Sequence, residues 1–142
     1  MLLTAALCLA AISTLQAADA PFKLESTWKL GFHEVDAHAH ILYVARLNRV
    51  MLVDIQAGKL VTEITGLAHA HCIAFDDRGK AGNISDGGAS KILVFDRATY
   101  KVAASVPAGK NPDSILFEPT QRRVFAFNSI RHNATVIDAE TN

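Results

Sequence analysis

The sequence predicts an all-β protein assembled from a repeating unit of 42 residues, and three observations carry that reading. An apolar run closing in aspartate occurs as Val50-Met51-Leu52-Val53-Asp54, Ile92-Leu93-Val94-Phe95-Asp96 and Ala134-Thr135-Val136-Ile137-Asp138. Asp54, Asp96 and Asp138 are separated by 42 residues in both intervals, and the same step relates Lys59 to Lys101, Asp76 to Glu118, and His71 to Asp113. The runs between turns are short, β-branched and aromatic, bounded by Gly, Asp and Asn, as strands are. No segment after Ala20 sustains a helical period.

Each unit reads as four strands. Val35-Asp36, Phe75-Asp76 and Phe117-Glu118 end a first strand. The second is Leu42 to Ala45, Gly82 to Ser85 and Val124 to Phe127. The apolar-aspartate run is the third, and Leu60 to Thr65 and Val102 to Pro107 give a fourth. Lys23-Leu24, Trp28 and Gly31 align with Lys101-Val102, Val106 and Gly109, so 23–31 reads as a lone outer strand. Four strands in about 42 residues is the size of one β-propeller blade. The expected organisation is a partial β-propeller over 23–142, with the lone strand at 23–31, blades at 32–67 and 68–110, and an incomplete blade at 111–142. Propellers close with roughly 4 to 8 blades, so about three leave apolar sheet faces bare. The expectation is a truncated copy of a longer protein, or three blades that assemble with another copy.

The composition is compatible with this. Of 142 residues half are hydrophobic, and 14 Lys plus Arg balance 14 Asp plus Glu. A formally neutral chain has no bulk electrostatic grip on nucleic acid or on an anionic membrane. Met1 to Ala20 reads as a secretory signal: an apolar stretch from Leu2 to Ile12 precedes small residues Ala17, Ala18 and Ala20, with no Lys or Arg ahead of it. The signal is placed at 1–17, extending to 20 at most, which implies a periplasmic or extracellular mature chain without a membrane span. Cys72 is then the mature chain's single cysteine, which excludes an intramolecular disulfide.

The second-strand tetrads carry a family resemblance. Tyr43-Val44-Ala45-Arg46, Asn83-Ile84-Ser85-Asp86 and Phe125-Ala126-Phe127-Asn128 resemble degenerate copies of a Tyr-Val-Thr-Asn signature. Each precedes an apolar-aspartate strand, and Val106-Pro107-Ala108-Gly109-Lys110-Asn111-Pro112 is similar to that family's inter-blade segment. Together these resemble the YVTN-repeat, YncE-like β-propellers of the bacterial periplasm and cell surface. The resemblance implies a seven-bladed exported parent acting as a binding or interaction scaffold. Its relatives include lactonases and metal- or quinone-dependent oxidoreductases. The alternative to a non-catalytic scaffold is therefore part of a propeller enzyme, a lactonase-like hydrolase or a metal-assisted oxidoreductase.

Candidate binding residues follow from where strands converge. The entries to the inner strands are Ala70-His71-Cys72 and Pro112-Asp113-Ser114, so His71 and Asp113 are the leading pair at the channel mouth. Arg46, Asp86 and Asn128 end the second strands and form a weaker set, since such residues also cap hairpins. His69, His71 and Cys72 offer a weak metal-site alternative, because His and Cys suit zinc or copper, but no second ligand pair at a diagnostic spacing accompanies them. There is no C-x-x-C-H, no phosphate-cradling glycine loop and no G-x-S-x-G elbow, so no cofactor is expected. The expected partner is a small molecule or a protein on the propeller face, with self-association through open blade faces as a further possibility.

Overall fold

The computed structural model describes residues 33–36, 39–76, 78 and 80–140. The expected leader at 1–17 and the lone strand at 23–31 lie outside the described residues. Within them the chain is all strand and turn: β1 (His33–Asp36), β2 (Ile41–Asp54), β3 (Lys59–Phe75), β4 (Ala81–Asp86), β5 (Lys91–Asp96), β6 (Val102–Pro107), β7 (Pro112–Glu118), β8 (Arg123–Asn128) and β9 (Asn133–Asp138). Pairing is antiparallel throughout, with β1 to β6 in one ladder and β7 to β9 in another.

Two strands are longer than the sequence suggests, and both are composites. The Ile55 amide donates to the His40 carbonyl at 3.0 Å, so β2 folds back on itself around Leu47 and Asn48. Equivalent bonds run from Arg97 to Lys80 and from Ala139 to Arg122. The second and third strands of the first unit are thus the two arms of β2, joined by a tighter turn than the four-residue turns at 87–90 and 129–132. β3 is composite for a different reason. Its first arm pairs β2 through Thr65, and its second arm pairs β4 from Ala70. Gly66, at φ 87°, takes the bend between the arms in a region that favours glycine. β3 therefore leaves one unit as its fourth strand and enters the next as its first.

The repeated acids have a local physical purpose. Asp54 accepts the amides of Gln56 and Ala57 at 2.8 and 2.9 Å, and Asp96 accepts those of Ala98 and Thr99 at 3.1 and 2.7 Å. Asp138 accepts the Glu140 amide at 2.8 Å. At the other hairpins Asp36 accepts Ala39, Asp76 accepts Lys80 and Ala81, and Glu118 accepts Thr120 and Gln121. The 42-residue aspartate period is a period of turns, each closed by a carboxylate that satisfies backbone donors.

These bonds favour the ionised form. Turn amides, led by Ala57, hold Asp54 below its ordinary pKa. The Thr99 hydroxyl leads for Asp96 and the Gln121 amide for Glu118. A depressed folded pKa contributes stability that is present above the unfolded value, about 4, and is lost as pH falls through the folded one. The melting temperature is accordingly expected to be level near neutrality and to decline below about pH 4. Asp96→Asn should flatten part of that decline; an unchanged acid limb in the variant would exclude Asp96 as a contributor.

Apolar residues on opposite faces of the middle unit bind it to both neighbours. Tyr43, Val50, Leu52 and Ile64 of the first unit pack with Ile73, Ile84, Leu93 and Phe95 of the second. Ala74 and Ile92 pack with Ile115, Val124, Ala126 and Ile137 of the third. The buried Val, Leu, Ile and Phe side chains among them each contribute about 1.5–3 kcal/mol. These sheet-on-sheet contacts are the packing of consecutive propeller blades. No helix among the described residues is long and apolar enough to cross a membrane.

Candidate functional site

The crossover from β6 into β7 brings residues 111–113 against the turn that follows β4. His71, near the bend of β3, is buried, and its Nδ1 lies 3.4 Å from Oδ1 of Asp113, whose side chain is 43% exposed. The His69 ring stacks beside that of His71, with centroids 4.4 Å apart. Gly87 closes the other side: a Cβ there would overlap the His71 ring and the Asn111 side chain. Only a residue without a side chain allows the two units to meet this closely at this end. Asn111 donates from Nδ2 to Ser129 Oγ at 2.6 Å, and its carbonyl accepts the Ser129 amide at 3.0 Å. Ser85, fully buried, accepts the Cys72 amide at 3.0 Å and donates to the Asp113 carbonyl at 2.5 Å.

The pair His71 and Asp113, expected from repeat position alone, is thus brought into contact across two units. The weaker set is not brought together as a site. Asp86 is fully buried and accepts the amides of Ala68 and His69, the shortest at 2.8 Å, with Lys91 Nζ at 3.9 Å. It holds the start of the second arm of β3 in place. Asn128 is buried and donates to Asn133 Oδ1 at 2.9 Å and Thr135 Oγ1 at 3.0 Å, within its own hairpin. Arg46 is exposed at the turn of β2. Cys72 packs with the second core cluster, whereas His71 and His69 lie beside Gly87 and Asp86 respectively. Burial, reinforced by the charges of Asp113 and Glu34, pushes the Cys72 thiol up, and a protonated thiol is a poor metal ligand. Among the described residues no three His, Cys, Asp or Glu side chains are grouped to hold a metal ion.

Sequence reasoning missed Asn111, Gly87 and Ser85. Gly87 reads as an ordinary turn glycine, and the tight approach of Asn111 appears only once units two and three are stacked. It also missed a buried ionic link between the first two units. Arg97 contacts Asp36 closely and lies 4.0 Å from Asp76, while its guanidinium stacks over Phe75 at 4.7 Å. All three side chains of that link are at most 11% exposed. The sign is legible in the sequence only as the repeated acids Asp36 and Asp76; nothing there pairs them with Arg97.

Two four-stranded and one three-stranded antiparallel sheets among the described residues, packed face to face in chain order with β3 passing from the first to the second, define a β-propeller scaffold. Comparison with solved structures agrees. The chain is similar to the β-propeller domain of Cps50 (Swd1) from Myceliophteria thermophila, at TM-score 0.69 and 13% identity, over 84% of this chain and 39% of that one. It is similar to hydrazine synthase of Kuenenia stuttgartiensis at TM-score 0.60 and 12% identity, over 80% and 38%. It is also similar to dihydro-heme d1 dehydrogenase NirN in complex with DHE, at TM-score 0.58 and 13% identity, over 77% and 28%. The chain therefore spans less than two-fifths of each of these proteins. No protein-family model matches it, and no curated protein matches it by sequence. At such identities the likeness is one of fold.

Proposed function

We propose that this chain is an exported binding scaffold of the YVTN-repeat, YncE-like type, non-catalytic, acting in the periplasm or outside the cell. The tetrads and the Val106 to Pro112 segment support the family reading, and the apolar leader with its small-residue cleavage zone supports export. The ligand, a small molecule or a loop of a partner protein, engages the end of the inner strands where His71 meets Asp113. One observation carries this: a buried imidazole faces a carboxylate of the next unit at 3.4 Å, and that carboxylate remains 43% exposed. Such a pair offers an anchored donor or acceptor beside an accessible acceptor, which suits a hydroxyl or amine group on a ligand.

The test is a ligand screen by thermal shift, followed by titration of any hit against His71→Ala and Asp113→Ala. Binding is expected to weaken at least tenfold in each variant, about 1.4 kcal/mol, with the melting temperature within a few degrees of the parent. Normal binding by both variants, or unfolding of both, would make the pair a structural contact and remove the proposed site.

A further inference from the structure

The second unit carries a groove that the chain itself fills. Ser85 of β4 and Ile92 of β5 face each other across the ladder, and both are fully buried. The crossover at 111–113 lies over them: Ser85 donates to the Asp113 carbonyl at 2.5 Å, and Ile92 packs into the apolar cluster of the third unit. Gly87 lies against the Asn111 side chain.

The same groove in the third unit has a different lining. The 42-residue step replaces Ser85 by Phe127, Ile92 by Ala134, Gly87 by Ser129 and His71 by Asp113. Phe127 and Ala134 again face each other across the ladder, and with Asp113 they line a cleft of about 480 Å³. That volume is in the range of small-molecule pockets. A hydroxyl that bonds to backbone in the second unit is here an apolar ring, 42% exposed. Alanine opens the space that the isoleucine side chain takes in the second unit.

The chemistry of the wall selects the ligand. Asp113 is its one acid among the described residues, and His71 Nδ1 lies 3.4 Å from the carboxylate. Other polar residues of the wall are engaged within the protein. Asn128 donates to Asn133 Oδ1 and Thr135 Oγ1, while Ser129 accepts from Asn111 Nδ2 and donates to the Asn111 carbonyl. A polyol would find few partners there, and a carboxylate or phosphate would meet Asp113 as a like charge. A single carboxylate does not make a metal site, and no three ligating side chains are grouped among the described residues. An organic cation fits each of these conditions. Its ammonium pairs with Asp113, and its apolar body lies on Phe127 over Ala134, where the ring face also attracts the charge.

We propose that the site takes a small organic cation, a primary ammonium carried by an aromatic or aliphatic body, with Phe127 and Ala134 determining specificity. The proposal rests on the reading of His71 and Asp113 as a ligand site and names the ligand's chemical class.

Benzylamine, benzyl alcohol and benzoate share one body and differ in charge, so titration of the purified chain with each, followed by ligand-observed NMR, reads the class directly. Benzylamine should bind at least tenfold more tightly than benzyl alcohol, and benzoate more weakly still. Asp113→Asn should remove that preference. Ala134→Ile gives the third unit the residue that the second has, and by filling the cleft it should weaken benzylamine binding at least tenfold. Phe127→Leu should weaken it as well. Both positions are exposed on strands, so both variants should keep the parent's circular dichroism and melting temperature. Benzyl alcohol or benzoate binding as tightly as benzylamine, yet lost in His71→Ala and Asp113→Ala, overturns the cation class and leaves the pair as a ligand site. Benzylamine binding indifferent to Ala134→Ile and Phe127→Leu overturns the cleft in the same way. Binding indifferent to Asp113→Asn and His71→Ala overturns both readings. A parent chain that does not bind benzylamine overturns this inference alone, since the wider ligand screen still decides the pair.

Discussion

Arg97→Ala is expected to destabilise the fold by about 3–5 kcal/mol, the largest single effect outside wholesale core truncation. Arg97 lies between the acids that end the first strands of units one and two, with Asp36 and Asp76 at 4% and 6% side-chain exposure. Removing the guanidinium takes the shared cation from both carboxylates in a site where water solvates them poorly. The Ala39 amide still serves Asp36, and those of Lys80 and Ala81 still serve Asp76, but amide dipoles do not replace a full charge. The stacking of Arg97 over Phe75 is lost in the same step, with Tyr43 and Phe95 packed behind it. Urea denaturation of parent and variant reads the difference. A second variant separates charge from shape: Asp36→Asn combined with Arg97→Met should recover at least half of the loss, because one of the two buried carboxylates is then neutral and the methionine keeps the packing over Phe75. A cost below about 1 kcal/mol for Arg97→Ala would mean that the link behaves as a surface ion pair.

Gly82→Ala is expected to cost about 2–3 kcal/mol, at the upper end of overpacking penalties for a single methyl group. Gly82 in β4 is opposite Phe95 in β5, and a Cβ built on Gly82 overlaps the Phe95 ring. An exposed ring would swing aside cheaply. Phe95 is fully buried among Tyr43, Ile73, Ile84 and Leu52, so the ring has nowhere to go. A compensating change distinguishes this from a loss of β-propensity: Phe95→Leu in the Gly82→Ala background should restore part of the stability. If the double variant is less stable than both singles, the ring-over-glycine contact is not what makes Gly82 necessary.

How much of this was legible beforehand depends on the range of the interaction. The carboxylate-closed turns at Asp54, Asp96, Asp138, Asp76 and Glu118 are local, each spanning two to five residues, and repetition made them conspicuous. Alternation within β5 placed Ile92 and Leu93 on opposite faces, as the two core clusters show. The contact of His71 with Asp113 was accessible as a pair because both occupy one repeat position, and consecutive repeat positions meet when units stack.

The sequence by itself determined the all-β class, the 42-residue unit, the order of strands within it and the acids that close its turns. These depend on side-chain period and on hydrogen bonds between near neighbours, which are encoded along the chain. The tertiary structure alone decided the rest. It joined strands into β2 and β3, committed Asp86 and Asn128 to holding backbone and hairpins, and set Arg97 between Asp36 and Asp76. Those outcomes depend on which faces meet when one sheet packs on the next, at separations set by side-chain volume. A glycine at 82 or 87 acquires meaning only when the residue across the gap is known.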